Sequence, residues 1–518
     1  MIWGKKDNPR KMKLQMPKRK TLNRGYSQHG ASFTKTSLAG WQASSGTPKE
    51  DMEDNQQILR ERSRDLYYGA PLANGALKTQ VMNNIGPGLR HKANIDGELL
   101  GLSLTEQRAW EKQCEREFDI WVRNCDARGQ NDFYGLQRLA MLSQLLSGEV
   151  FALFPMYLLK NEPYATKIML IESDLVGSPN GQMDQDYQSG VKINQFGAPV
   201  GYFIYKEMPY TRLAFNRSGV YVPKYGKKSG RLNVLHLFDC ERPGQVRGMP
   251  AFAPVMETLK QLTRYTDAEL MKALVSSTLT AVITTQMPDS GNPYASSVAE
   301  EDLIDDDPST LELGAGTVAQ LAPGEDVKTI APSPISSAFD EFVVTFCRQI
   351  GAALEIPYEI LVKHFTASYS ASRAALLEYW KSVRARRAIF VRQFCEPIYE
   401  LWMGEAVASG RLYAPGYFDD ERIKRAYLRA SWYGPAMGQI DPLKEANAAV
   451  VRVDNLMSTR TKETAEITGE DFGDVIDQLT REKQMIEEGG LVPNEQDKET
   501  LADSGEDDED GQDGNTDV

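Results

Sequence analysis

The feature that most limits what this chain can fold into is a succession of three long helical patterns between Pro250 and Gly404, broken by one polar insert and one short loop. From Pro250 to about Leu279, Val255, Leu259, Leu262 and Tyr265 share one stripe. Such a helix would span roughly 42 Å at about 1.5 Å per residue, which is long for an ordinary domain. A polar, acidic segment follows, with Pro288, Asp289 and Asp305–Asp307. Two short strand-like pieces, Thr317–Leu321 and Val327–Ile330, flank Pro323-Gly324, a strong turn signal. Phe339, Phe342, Val343, Phe346, Ile350 and Ala353 then recur at helical spacing, and the pattern stops before Pro357. A third helix opens near Ser370 or Ser372, serine being a good N-cap, and runs toward Gly404. Its face is crowded with cations: Arg373, Lys381, Arg384, Arg386, Arg387 and Arg392.

The chain before Pro250 reads as mixed. Residues 51–85 carry a helical pattern with Asp51 or Asp54 as caps and Leu59, Leu66 and Tyr67 on one face. A second helix, 104–125, starts at Thr105 and carries Trp110, Cys114, Phe118 and Trp121; a third, 134–147, ends at Gly148. Val150–Phe154, Ile168–Ile171, Val200–Tyr205 and Val234–Phe238 read as strands. Beyond the third long helix we expect a hairpin over Arg411–Ser431, a turn at Tyr433-Gly434-Pro435, and helices at 441–457 and 474–488. The expectation is a mainly helical α+β chain of several units, since 518 residues exceed one ordinary core.

Charge separates the ends. Residues 1–40 hold ten Lys or Arg against Asp7, a balance of +9, and read as a flexible arm for nucleic acid or an acidic partner, or as a solvated tail. From Glu495 to Val518 there are eleven acidic residues and only Lys498, a balance of −10, which predicts disorder. The net charge of −13 argues against simple wrapping of nucleic acid. It leaves room for a channel through which DNA slides without being held. Cys114, Cys125, Cys240, Cys347 and Cys395 lack CxxC spacing and read as reduced, buried thiols. No apolar run is long enough for a membrane span, and no apolar h-region follows the basic start.

Catalytic signatures are missing. The sequence has no phosphate-binding GxxxxGK[ST] loop and no GxSxG elbow, and Gly314-Ala315-Gly316 lacks the third glycine of a dinucleotide fingerprint. Of four histidines, His29, His91, His236 and His364, none has ligand spacing to another His or Cys. His236 sits in an apolar strand and reads as a satisfied core residue. The Asp305–Asp307 cluster reads as a solvated acidic loop rather than a cation site. No cofactor is expected.

The order of elements resembles the portal proteins of tailed bacteriophages, in their lambda-like branch. Gly316-Thr317-Val318, Leu321-Ala322-Pro323-Gly324-Glu325 and Val327 look like that family's turn before its second stem helix. Ile350-Gly351-Ala352-Ala353-Leu354-Glu355-Ile356-Pro357-Tyr358-Glu359 resembles the family segment that ends that helix, with Ala353 and Glu355 in place of the usual glycines. Tyr369-Ser370-Ala371-Ser372-Arg373, His236-Leu237-Phe238 and Gly244-Gln245-Val246-Arg247-Gly248-Met249-Pro250 are similar to further family segments, so the likeness spans roughly 55–490.

The resemblance implies a ring of about twelve copies at one capsid vertex, with double-stranded DNA in its axis and no membrane. It implies a basic arm over 1–50, a wing over 51–250, stem helices at 251–283 and 336–356, a clip at 284–335 and a tunnel loop at 357–371. The wing helix and hairpin would take 372–435, crown helices 436–490 and an acidic tail 491–518. Implied partners are the terminase large subunit, the major capsid and scaffolding proteins, and a head-completion or tail connector protein. The location would be the virion, after assembly in the host cytoplasm. Lys363 and His364 become the candidate tunnel-loop contacts with DNA. Lys260, Arg264, Lys272 and Arg348 would face the channel, or pair with Glu257, Asp267 and Glu269 between subunits. Arg373, Arg384 and Arg387 are candidate intersubunit or DNA-facing cations. The competing readings are a protein-binding head or tail adaptor, and a hydrolase or nuclease with an unfamiliar site.

Overall fold

A computed structural model describes residues 46–179, 187–208, 218–278, 282–285, 325–328, 339–365, 368–438 and 441–489. Helix α1 (Pro48–Gly69) is capped by Thr47, whose side chain accepts from the Glu50 amide while the Glu50 carboxylate accepts from the Thr47 amide. The expected caps Asp51 and Asp54 therefore lie inside the helix. Pro71 can open a helix but not continue one, so the chain breaks at Ala70 and restarts as α2 (Pro71–Asn84). Strand β1 (Arg90–Ala93) and the single turn α3 (Gly97–Leu100) follow. Helix α4 (Leu104–Val122) is capped by Ser103 with Glu106, just ahead of the expected Thr105. Helix α5 (Phe133–Ser147) stops at Gly148, whose φ of 87° suits glycine.

Seven strands come next: β2 (Glu149–Leu153), β3 (Met169–Ile171), β4 (Tyr187–Gln188), β5 (Val191–Ile193), β6 (Pro199–Tyr205), β7 (Gly219–Pro223) and β8 (Val234–Phe238). They form two antiparallel sheets, ordered β3-β2-β8 and β4-β5-β6-β7. Alternation along β2 sorts its side chains between two cores. Val150 and Ala152 face the main one; Phe151 faces the second sheet, with Tyr202, Ile204 and Val191.

The long-helix region opens with α6 (Met256–Thr278), continues into β9 (Val282–Thr285), and returns through β10 (Glu325–Lys328) and α7 (Phe339–Leu354). β10 pairs antiparallel with β9, from Glu325 opposite Thr285 to Lys328 opposite Val282. The expected strand 317–321 lies outside the described residues. Tyr265 of α6 packs between Phe339 and Phe342 of α7, with ring centroids 5.5 and 4.7 Å away.

After the short α8 (Tyr358–Val362) comes a rod made of α9 (Tyr369–Phe390), a π turn at Val391–Cys395 and α10 (Glu396–Ala408). The expected hairpin over Arg411–Ser431 is not formed. Turns lead into α11 (Glu421–Leu428), capped by Asp420, and then β11 (Ala430–Tyr433). Ile423 and Tyr427 pack inward at helical spacing, and β11 pairs with the distant β1, Arg90 opposite Tyr433. The chain ends its described course with α12 (Pro442–Asp454), α13 (Arg460–Ile467) and α14 (Phe472–Glu488).

The main core lies where α1, α2, α4, α5 and the bases of α6 and α7 meet the α9–α10 rod. Phe118 sits at its centre with Trp402, Tyr399 and Phe133 rings 4.9–5.9 Å away. Each such aromatic contact adds on the order of 1 kcal/mol beyond area burial.

Candidate functional site

One ionic cluster ties α1, β2, β8 and the loop before α6 together. Glu149 opens β2 and is fully buried. Its carboxylate takes a two-oxygen grip from Arg247 Nε, at 2.8 and 3.0 Å, and also pairs with Arg60 of α1. It accepts from the Gly248 amide at 2.9 Å and bonds His236 Nε2 at 2.8 Å. Burial alone would raise the Glu149 pKa, but Arg247, Arg60 and His236 outweigh it and hold the group ionised well below the usual carboxylate range. Burial pushes His236 down despite Glu149, so the ring is neutral near neutral pH. It stacks on Phe151 at 4.1 Å, which makes it the satisfied core histidine expected from sequence.

The 244–250 segment acquires a physical meaning here. Gln245 accepts from the Glu241 and Arg242 amides and donates to the Arg247 carbonyl, folding the loop on itself. Arg247 also reaches the Val176 and Ser173 carbonyls, both at 3.0 Å. Gly248 lies against Gly148, where an added Cβ would fall 2.0 Å from the Gly148 carbonyl oxygen. Sequence reasoning noticed the loop but missed Glu149. Its signal was a lone carboxylate heading an apolar strand directly after a helix-ending glycine.

The second region is the passage from α7 to α9. Glu355 adopts φ 56°, a left-handed conformation, where the resembling family has glycine. Its carboxylate reaches Arg386 of α9 at 3.0 Å. The first half of the expected loop 357–371 is helix α8, anchored by buried Leu361. Lys363 then takes φ 56° as the C-cap of α8 and stands exposed with His364 and Phe365. Residues 366–367 lie outside the described set.

The other predicted cations sort by partner. Lys260 lies 3.3 Å from Asp65 of α1, and Lys272 lies 3.6 Å from Glu269 on its own helix. Arg348 sits over the Tyr358 ring, 5.7 Å from its centroid. Arg264 is exposed on α6 and has no ion pair among the described residues. Arg373 meets Glu445 of α12 at 2.6 Å, and Arg384 meets Glu466 of α13 at 3.7 Å, both within the chain. Arg387 bonds to backbone within the chain. Its guanidinium donates to the Asn83, Asn84 and Pro435 carbonyls, at 2.9–3.0 Å, and stacks over Trp380. It closes the C-terminal end of α2, where unpaired carbonyls gather.

The last helices are attached mainly through polar contacts. α14 has no buried residue. Lys92 pairs with Asp474 of α14 and with Glu115, Lys112 meets Asp477 at 2.7 Å, and the Tyr433 hydroxyl donates to Asp471 at 3.0 Å. Behind this contact lies His91, packed against Tyr399 at 4.2 Å and Phe118 at 4.8 Å. Part of the residue reaches the surface, but both ring nitrogens are buried and lack a partner among the described residues. Burial, aided by Lys92, pushes its pKa down to about 3.

The family model described as phage portal protein, lambda family, matches residues 34–387. The chain belongs to the lambda family of phage portal proteins. The portal protein of Escherichia phage N15 is 25% identical over 492 residues, covering 90% of this chain and 92% of that one. Portal protein B of Escherichia phage lambda is 23% identical over 495 residues, covering 90% and 91%. Among solved structures, a chain from the virion of a native gene transfer agent particle is 15% identical with a TM-score of 0.44, covering 79% of this chain and 92% of that chain. An HK97 family phage portal protein from Corynebacterium diphtheriae is 11% identical with a TM-score of 0.30, covering 63% and 85%.

For this portal chain the family match takes in the whole Glu149 cluster, the α6–α7 pair and the Glu355–Phe365 passage. It ends at Arg387, so α12–α14 fall outside it.

Proposed function

We infer that copies of this portal protein close into a ring of about twelve around a channel, at one capsid vertex of a virion. The observation that carries the reading, beyond family membership, is the uncovered apolar surface of the long-helix pair. Leu270 and Met271 of α6 and Phe342 of α7 are 40–60% exposed. Two long helices with a bare apolar stripe need a neighbour, and further copies of the same pair supply one on both sides.

In this reading residues 51–250 with 372–435 form the wing, 251–283 and 336–356 the stem, 284–335 the clip and 436–490 the crown. Double-stranded DNA passes along the axis without sequence readout. Lys363 and His364, exposed at the end of α8, are the proposed backbone contacts, and exposed Arg264 is a further channel candidate. The terminase large subunit and the connector protein would dock on the clip, and capsid and scaffolding proteins on the wing. Membership of a structural protein family supports a structural rather than an enzymatic role.

Native mass measurement and imaging of the purified protein test this. The expected result is a closed ring of about twelve subunits. A particle no larger than a dimer under all assembly conditions would overturn the ring and favour an adaptor.

A further inference from the structure

We propose that the basic arm, residues 1–45, docks in an acidic cleft of the same chain, between the β7–β8 connection and the α10–α11 corner. The cleft has a volume of about 850 Å³. Its lining includes the carboxylates Glu400, Glu405, Asp419, Asp420 and Glu421 against the cations Arg231 and Lys424, which gives 5 − 2, a net charge of −3. Arg231 is already committed to the Phe154 carbonyl, and Lys424 to Glu400. Asp419 has no partner of its own among the described side chains and stands in the open.

The cleft also has an apolar wall. Met156, Tyr225 and Phe418 line it and are each more than half exposed, an unusual concentration of bare apolar side chains beside so many carboxylates. The hydroxyl of Tyr417, another lining residue, is buried and has no hydrogen-bond partner among the described residues. An occupant should therefore be cationic, partly apolar and able to supply polar backbone or side-chain groups.

The arm has that composition. Residues 1–45 hold ten Lys or Arg against Asp7, interleaved with Trp3, Leu14, Leu22 and Tyr26. It is also within reach. Gly46, where the described chain begins, is held by Arg242, which donates to its carbonyl at 3.1 Å. The path from Arg242 back along β8 to Arg231 is at most about 36 Å at ~3.3 Å per residue. An extended arm of this length covers roughly 150 Å. The acidic tail, 491–518, offers the arm more charge but contains no aromatic residue.

The test uses the full chain with Phe418 replaced by the photo-cross-linker p-benzoylphenylalanine and, separately, Tyr225 replaced in the same way. Both side chains are exposed, so the fold should tolerate each exchange. After irradiation, peptide mapping should find cross-links to residues 1–45 from both positions. Their yield should fall about ten-fold between roughly 0.05 and 0.5 M salt, because exposed charges are screened beyond a few ångströms at high ionic strength. Asp419→Lys combined with Glu421→Lys should lower the yield several-fold at low salt. Cross-links mapping only to 491–518 or to another subunit's wing, or a yield indifferent to salt and to the charge reversal, overturn the proposal.

Discussion

Arg247 holds Glu149 side-on, its Nε 2.8 Å from one carboxylate oxygen and 3.0 Å from the other, in a place closed to solvent on every side. Removing Glu149 takes the shared counter-charge from two buried guanidiniums. Glu149→Gln, which strands Arg60 and Arg247 together, should cost about 3–5 kcal/mol. Urea unfolding measures this, and a loss below about 1 kcal/mol would mean that water reaches the cluster.

His91 makes stability depend on pH in a definite window. Its folded pKa of about 3 lies below the ordinary 6.5, so the unfolded chain binds a proton that the folded chain refuses. That stability is complete above pH 6.5 and declines as pH falls toward 3. The limiting slope is about 1.4 kcal/mol per pH unit for one group. His236 is displaced in the same direction and adds to it. His91→Phe should flatten the profile between about pH 6.5 and 4.5, above the range where carboxylates titrate. An unchanged slope would show that His91 titrates normally.

Arg387 and Arg384 are three residues apart on α9 and should behave oppositely. Arg387→Ala frees two carbonyls at the end of α2 and that of Pro435, and should cost about 1–3 kcal/mol. Arg384→Ala removes an exposed pair and should change stability by about 0.5 kcal/mol or less. Paired thermal unfolding of the two variants distinguishes a structural cation from a surface one.

Lys363 can be separated from its backbone. Lys363→Gly removes the charge and relieves the left-handed strain, a gain of about 1 kcal/mol. Lys363→Ala removes the charge and keeps the strain. Both rings should assemble, and both should package or retain DNA less well. Wild-type packaging by both variants would dismiss the charge at this position.

The attachment of α14 can be loosened at one residue. Lys92→Met deletes the contacts to Asp474 and Glu115 while keeping an apolar stem. Amide exchange across 472–488 should accelerate, as should exchange of the unaltered protein at high salt. Exchange indifferent to both would place the anchorage elsewhere.

The helices were legible where periodicity ran long. The stripe through Val255, Leu259 and Leu262 and the stop before Pro357 are local facts, and they found α6 and α7. What depended on distant partners stayed hidden. Nothing near Ala430 announces that β11 pairs with β1, so Arg411–Ser431 read as a hairpin. Arg387 looked like its neighbours because the carbonyls it serves lie some 300 residues away. Glu355 was not legible: a non-glycine residue gives no local sign of a left-handed backbone, yet φ 56° is what it adopts.

The π turn at Val391–Cys395 holds one residue more than the α turn it replaces, so everything beyond it is rotated by about 100°. It acts as a phase shifter within one rod. Upstream the rod presents arginines to the last helices; downstream it seats Tyr399 and Trp402 in the core. A single deletion in this turn would spare the rod's rigidity but put its two halves out of phase with their neighbours. The two ends of the molecule thus share one axle, and its timing rests on one residue.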